Sequence, residues 1–495
     1  MDETRPGYLL STRQTLLAFA GVMLGMLVAA LNQTIVVTAL PTIVSDLGGA
    51  EHYSWVFSAY MLGATVTVPV YGRLSDIYGR RRFFVIGIVV FVAGGVVGAT
   101  AQSMTQLILA RAIQGLGAGA LIPLAVIVIG DLVPPSERGR WQGLTGATFG
   151  LASILGPFTG GWIVDHTNWR WVFLASMPVA LLALAVGWRT LRIPIHPDTS
   201  RSVDWLGAGL LMSGVSISLL ATVWGGTEYP WGSAEIIGLY GAGAVLLGAF
   251  AWQERRAETP IVPVRLFRRR TFSLANAAAF SVGVSMFGAI MFVPLFVQGA
   301  IGASATNSGI VLTPLMLSLM TTSVVSGQVV SRTGRYRWAL LAGPVVIAIG
   351  SFLLSSLDAD SSTRSALVAT VVLGLGLGLI LQNLVLVVQN TSPARSLGAA
   401  TSATQFFRSV GGTIGVTVMG AILTAGLPPG TESSLGQVGA TGDTLAARQT
   451  LADAIHPVFL IGMPLMAVTL LLVSLIPEVP LRRAVRDDAP APAPA

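Results

Sequence analysis

Long apolar runs separated by short polar segments dominate the chain from end to end. A helix that crosses a bilayer needs about 20 mostly apolar residues, and 14 runs are long enough to be spans of this kind. They lie near 15–37, 53–74, 83–101, 105–132, 141–164, 169–191, 203–224, 235–254, 271–298, 306–330, 338–356, 364–390, 399–425 and 455–477. The pattern predicts an all-α membrane protein in which six transmembrane helices are followed by an extra pair and then by six more.

The arginines test this division, because the cytoplasmic loops of membrane proteins are enriched in Lys and Arg. If the N-terminus is cytoplasmic, 24 of the 29 arginines fall in inner segments. Arg170, Arg364 and Arg448 fall outside, and Arg111 and Arg408 lie within apolar runs. If one span had been missed, every later loop would be assigned to the wrong side of the membrane and the excess of inner arginines would disappear. The excess therefore supports the number of runs. It predicts a multi-pass protein of the cell membrane with both termini cytoplasmic.

The amino-acid composition excludes several classes of function. Only 10% of the residues are charged, against about 25% in soluble proteins, so a lipid bilayer is the expected surroundings. The chain has no Cys and all of its basic residues are Arg, which excludes disulfides, thiolate metal sites and the lysine of a phosphate-binding Walker loop. Topology explains the net charge of +7 better than nucleic-acid binding does. We expect no cofactor and no metal site.

The Arg-rich segment after the eighth run marks the main boundary along the chain. We expect a cytoplasmic N-terminus at 1–14, an N-terminal six-helix bundle at 15–191, an extra helix pair with an Arg-rich cytoplasmic linker at 192–270, a C-terminal six-helix bundle at 271–477 and a disordered cytoplasmic tail at 478–495. Both bundles carry Gly and Arg after their second runs and a glycine-rich fifth run. Such repeats are typical of transporters built from two halves around a central path.

A charged loop follows the second run and reads GRLSDIYGRRR from Gly72 to Arg82. Its glycines permit the backbone to turn, and its charges and glycines fit a short loop between two spans. The candidate functional residues in it are Gly72, Arg73, Asp76, Gly79 and Arg80.

The fifth run contains the sequence GLASILGPFTGG from Gly150 to Gly161. Glycines four residues apart form a face that a neighbouring helix can approach closely, and an internal proline can kink a helix. The second set of candidate functional residues is Gly156, Pro157, Gly160 and Gly161.

Polar side chains within the other runs are candidates for binding substrate or a coupling ion. Ionisable and amide groups at such depth tend to face a cavity or a partner helix. The candidates are Asn32, Gln33, Arg111, Gln114, Gln382, Asn383, Gln405 and Arg408.

Together these motifs resemble the major facilitator superfamily, and most closely its fourteen-helix drug:proton antiporter branch, the EmrB/QacA-like multidrug efflux transporters. The loop at Gly72 matches the signature GxLxDxxGRR, and the fifth run matches the antiporter motif GxxxxxGPxxGG. The resemblance implies two six-helix bundles around a central cavity, with the extra pair between them. It also implies that Asp76, Arg73 and Arg80 hold the outward-facing state, and that the fifth helix seals the two halves.

One departure from that branch concerns the coupling ion. The segment LNQTIVVTALP from Leu31 to Pro41 resembles the branch's first-helix motif, but Asn32 stands where the branch usually has Asp. Asn cannot take up and release a proton at physiological pH. Among the acids, Asp131 and Asp165 are the least implausible replacements, and both are more easily interpreted as helix-end contacts.

The function predicted from these residues is export of small amphipathic molecules, as in multidrug efflux, by a monomer that works by alternating access. The resemblance implies proton-coupled antiport, with protons as partners. The alternative is a facilitator, or an exporter of a specific metabolite or lipid, without proton coupling through the first helix. An intramembrane enzyme would need a constellation such as HExxH or paired acids within the spans, and the sequence contains neither.

Overall fold

The computed structural model describes residues 10–48, 52–191, 202–226, 228–301, 305–393, 396–427 and 445–481. Most of the predicted N-terminal segment and most of the predicted C-terminal tail lie outside these residues.

The described residues form helices and almost nothing else. The first part contains α1 (Thr12–Leu47), α2 (Tyr53–Tyr78), α3 (Arg80–Ala99), α4 (Met104–Leu132), α5 (Pro135–His166), α6 (Trp171–Ala175) and α7 (Met177–Thr190). The middle part contains α8 (Trp205–Trp224), α9 (Ala234–Arg256) and α10 (Val264–Phe267). The last part contains α11 (Arg270–Gly299), α12 (Ala305–Thr333), α13 (Arg337–Ser355), α14 (Thr363–Thr391), α15 (Leu397–Ala425), α16 (Leu445–Leu460) and α17 (Gly462–Ser474).

The predicted fold class is confirmed. In the described part of the chain, 13 helical segments are long and apolar enough to cross a membrane, with α6 and α7 forming one span and α16 and α17 another. The remaining predicted span is α2, which has 26 residues. The Tyr, Ser and Thr residues of α2 lower its mean hydropathy, and several of them are buried between the helices.

Each half has its own apolar core. One core joins α1, α3, α4 and α7 around Phe84, Phe91 and Leu121. The other joins α11 to α17 around Phe272, Phe296 and Leu377. The extra helix α8 packs against α2 through a smaller cluster rather than entering either core. The extra pair is therefore an addition to one flank of the two bundles.

The two halves meet most closely where α5 crosses α12. The backbone of Gly139 lies against the backbone of Gly327, and Gly143 lies against the backbone of Ser323 and Val324. A Cβ at any of these glycines would overlap the opposite helix. Small residues let two membrane helices approach at backbone distance, so these glycines set the spacing of the halves.

The orientation in the membrane can be tested because the chain has no cysteine. Asp360, between α13 and α14, and Glu258, between α9 and α10, are both exposed. We expect Asp360→Cys to react with a membrane-impermeant maleimide on intact cells, and Glu258→Cys to react only after permeabilisation. The opposite labelling pattern would contradict cytoplasmic termini.

Candidate functional site

A carboxylate from the first half caps a helix of the second half. Asp76, near the end of α2, accepts hydrogen bonds from the backbone N–H groups of Gly398 (3.1 Å) and Ala399 (2.9 Å). These two residues lie in the first turn of α15, whose N–H groups have no partner within the helix. Because the N-terminus of a helix carries a partial positive charge, the contact is electrostatic as well as hydrogen-bonded.

Arg80 holds Asp76 in this position. Its guanidinium forms a salt bridge with Asp76 at 2.5 Å and another with Asp131 of α4 at 2.7 Å, and it donates to Ser75 Oγ at 2.7 Å. Arg80 and Asp76 are both buried. One cation therefore binds two carboxylates, and Asp131 is a helix-end contact of this cluster.

The glycines of the same loop have separate structural roles. Gly79, which joins α2 to α3, has φ of 103°, a conformation that residues with a Cβ rarely adopt. Gly72 lies against α15, where a Cβ would overlap Ser402 Oγ. Arg73 is buried beside them with 6% of its surface exposed. The predicted loop residues are thus brought together at the junction of α2 with α15.

A second contact between the halves was not among the predicted site residues. Gln142 of α5 donates to Gln389 of α14 at 2.7 Å, and Gln389 in turn donates to Val126 O at 3.1 Å and to Thr401 Oγ1 at 3.2 Å. The signal in the sequence was a Gln within an apolar run, which indicates a buried partner but not its identity. We call the contacts made by Asp76 and Gln389 the inter-half seal.

Two of the glycines in the GPxxGG segment are positions of close helix packing. A Cβ at Gly156 would overlap Thr34, and one at Gly160 would overlap Thr38, so this segment packs against α1 of its own half. Gly161 has no atom within 4 Å of where a Cβ would stand. Pro157 lies inside α5 without ending it. The glycines of α5 that contact the second half are nearer its start, and the last of them is Gly150, the first residue of the GLASILGPFTGG sequence.

Asn32, Arg111 and Gln114 form a buried cluster behind the cavity wall. Arg111 donates to Asn32 Oδ1 at 2.5 Å, to Gln114 Oε1 at 2.9 Å and to Val56 O at 3.1 Å. Its guanidinium lies over the Tyr60 ring, 4.2 Å from the centroid. No salt bridge to Arg111 occurs within the described ranges. Arg111 thus connects α1, α2 and α4, and the groups that bind its guanidinium are all neutral.

A cavity lies between the halves and is lined by residues of both. On α2 and α15, the residues that line the cavity lie farther from the charged loop than the residues of the inter-half seal. They are Met61 and Thr65 on α2, and Gln405 and Arg408 on α15. The seal therefore closes the cavity on the side of the charged loop. Its walls are mostly apolar, which suits ligands with a large apolar body.

The structure divides the predicted substrate or coupling residues into two groups. Four line the cavity: Gln33, Gln382, Gln405 and Arg408. Four do not: Asn32, Arg111, Gln114 and Asn383. Those four are buried in the helix packing, and Asn383 donates to Leu379 O of its own helix.

Loss of the Asp76 charge should loosen the seal. Hydrogen bonds to charged groups contribute about 1.5–3 kcal/mol each, so Asp76→Asn should shift the closed population at least about tenfold toward separation. We expect spin labels at Arg140→Cys and Thr333→Cys, near the starting end of α5 and the terminal end of α12, to show longer distances in this variant.

The matched control is Asp165→Asn, which removes an equal charge at an exposed position of α5. An unchanged distance distribution in Asp76→Asn would remove its role in the seal.

Arg111→Ala should destabilise the first half. It would leave the three buried acceptors on Asn32, Gln114 and Val56 without their donor, and each such loss costs about 1–3 kcal/mol. We expect unfolding in detergent to become easier by about 3 kcal/mol or more, whereas Arg364→Ala, at an exposed site, should have no effect. Equal melting temperatures for the two variants would refute the structural role of Arg111.

Comparisons with known proteins agree with this architecture. The sequence profile of the Major Facilitator Superfamily matches residues 22–416. The chain is 41% identical over 414 residues to the multidrug transporter protein MdtP of Bacillus subtilis, covering 84% of this chain and 76% of that protein. It is 38% identical over 404 residues to multidrug resistance protein 3 of the same organism, covering 82% and 78%.

A solved structure shares the fold at low sequence identity. The proton:xylose symporter XylE superposes with a TM-score of 0.66 at 14% identity, covering 96% of this chain and 98% of that one. With the profile match and the two relatives above, this places the chain in the Major Facilitator Superfamily, as a transporter whose relatives include multidrug efflux proteins.

Proposed function

We propose that the protein exports small amphipathic molecules across the cell membrane by alternating access, working as a monomer. The observation that carries the proposal is the position of the cavity: it lies between the two halves, and hydrogen bonds between those halves close one side of it. A site between two bundles that separate on alternate sides is the arrangement that rocking transport requires.

The direction of transport follows from orientation and relatives. Under the proposed topology the charged loop is cytoplasmic, so the inter-half seal closes the cavity toward the cytoplasm. The names of two relatives, a multidrug transporter and a multidrug resistance protein, support efflux. The antiporter motif in α5 supports the same direction by resemblance.

The cavity lining supports amphipathic substrates. Met26, Phe149 and Phe287 supply apolar surface, and the amides of Gln382 and Gln405 supply polar contacts. Sites with mainly apolar walls and a few polar groups bind molecules that combine both characters. Such a lining has few fixed partners for any one molecule, which fits a broad substrate range.

Two kinds of energy coupling remain candidates. Proton antiport, which the resemblance implies, needs a titrating group that alternates between the two sides. Asn32 cannot serve, and none of the described residues that line the cavity is Asp or Glu. Asp131 is bound to Arg80. The second candidate is transport without protons, and the absence of an acid from the described cavity wall favours it.

Export can be measured with purified protein in proteoliposomes against cationic, neutral and lipidic fluorescent compounds. We expect at least one compound to be moved, and Asp76→Asn to slow its movement at least about tenfold because the seal is weakened. Without proton coupling, collapsing the pH gradient should change the rate by less than about twofold. A steep dependence on that gradient would establish proton coupling through another group, and transport unaffected by Asp76→Asn would contradict the gating scheme.

A further inference from the structure

The central cavity carries a positive charge that the protein leaves unneutralised. Of the described residues that line it, Arg408 is the charged one, and none is Asp or Glu. The other polar groups around it are amides and hydroxyls, such as Gln382, Gln405 and Ser409. Any charged group that enters the cavity therefore meets a cation.

The Arg408 guanidinium has no protein partner in the part of the chain that the structure describes. Its Nε is buried without a hydrogen-bond acceptor, and none of the recorded salt bridges involves it. Two buried arginines of the first half provide a contrast: Arg80 binds two carboxylates, and Arg111 has three acceptors. Arg408 alone of these three faces the cavity.

Neither the helix that carries Arg408 nor the helix packed against its backbone supplies an acidic partner. Neither α15, which carries Arg408, nor α11 contains Asp or Glu. The backbone of Arg408 lies directly against Gly283 of α11, so the region around it is closely packed helix rather than a loop that could bring in an acid. An unpaired arginine at membrane depth is costly and marks a functional site.

We propose that the transported molecule is an amphipathic anion whose carboxylate or sulfonate head group pairs with Arg408. The planar guanidinium presents donors in a fork that matches such oxyanions. The amides of Gln405 and Gln382 are placed to complete the head-group contacts, and the apolar body lies against side chains such as Phe149 and Phe287. This proposal rests on the proposed export function and specifies its substrate class.

If the substrate is an anion, the membrane potential can supply the energy for its export. The loaded site is neutral, because the anion cancels the charge of Arg408, and the empty site returns carrying one positive charge. Each cycle therefore moves one net negative charge outward, which the inside-negative membrane potential favours. A potential of 100 mV supports about a fiftyfold gradient of a monovalent ion, so export needs no proton.

The test uses three probes that differ only in head group: dansyl-aminohexanoate, its primary amide and its quaternary ammonium analogue. Purified full-length protein is reconstituted in liposomes at equal pH inside and outside, and valinomycin with a potassium gradient sets an inside-negative potential. We expect the carboxylate to bind about tenfold tighter than the amide, and its efflux to accelerate with the potential, after subtraction of protein-free liposomes.

The variants separate head-group recognition from general damage. Arg408→Gln should abolish the preference for the carboxylate while leaving amide binding within about twofold, and Arg408→Lys should retain part of the preference. Arg364→Gln removes the same charge at an exposed site and should behave as wild type. Melting curves of each variant show whether it is folded.

Five results would overturn parts of the proposal. Tighter binding of the ammonium probe, or equal loss of all three probes in folded Arg408→Gln, would refute anion recognition. Carboxylate efflux that ignores the potential would refute the electrical mechanism. Movement of the amide or ammonium but not the carboxylate would refute the anion while leaving export standing. No movement of any probe by folded protein would count against the proposed function itself.

Discussion

The contact of Asp76 with the start of α15 is the interaction on which the closed side of the protein depends. A carboxylate buried between helices is tolerated only when donors surround it, and Asp76 has two backbone N–H groups and Arg80. The N–H groups come from one half and the arginine from the other. If the halves separated, the Asp76 carboxylate would lose two donors and the N–H groups in the first turn of α15 would lose their acceptor. Water would have to replace these partners. In the proposed alternating-access cycle, opening of this side therefore requires water to reach both groups.

The rest of the interface suits the repeated opening that the proposed alternating access requires. Where α5 crosses α12, Gly139 and Gly327 contact each other backbone against backbone. The amide pair of Gln142 and Gln389 can exchange its hydrogen bond for one to water at small net cost. The apolar cores, by contrast, lie within each half. The energy that maintains the fold and the energy that holds the two halves together are thus largely separate.

The helices could be predicted from the sequence because apolar length and the arginine alternation are local signals. The loop at Gly79 could be predicted too, since its glycine and charges are close together in the chain. Partners between distant segments could not. The glycines at Gly156 and Gly160 predicted a close helix neighbour, but a small-residue face does not say which helix approaches it, and the neighbour is α1. Gln389 signalled a buried amide, and only the fold assigns its partner.

Asn32 connects the core of the first half to the chemistry of the cavity. With an acid at this position, as in the branch that the chain resembles, the charge of Arg111 would be neutralised where it now donates to Asn32. Asn leaves that charge in place, directly behind the Tyr60 ring, which lines the cavity. Charges interact strongly in such surroundings because the effective dielectric constant is low. Arg111 and Arg408 therefore add their fields from opposite halves, and Asn32, which cannot carry a proton, also leaves the cavity more favourable to the anion that we propose.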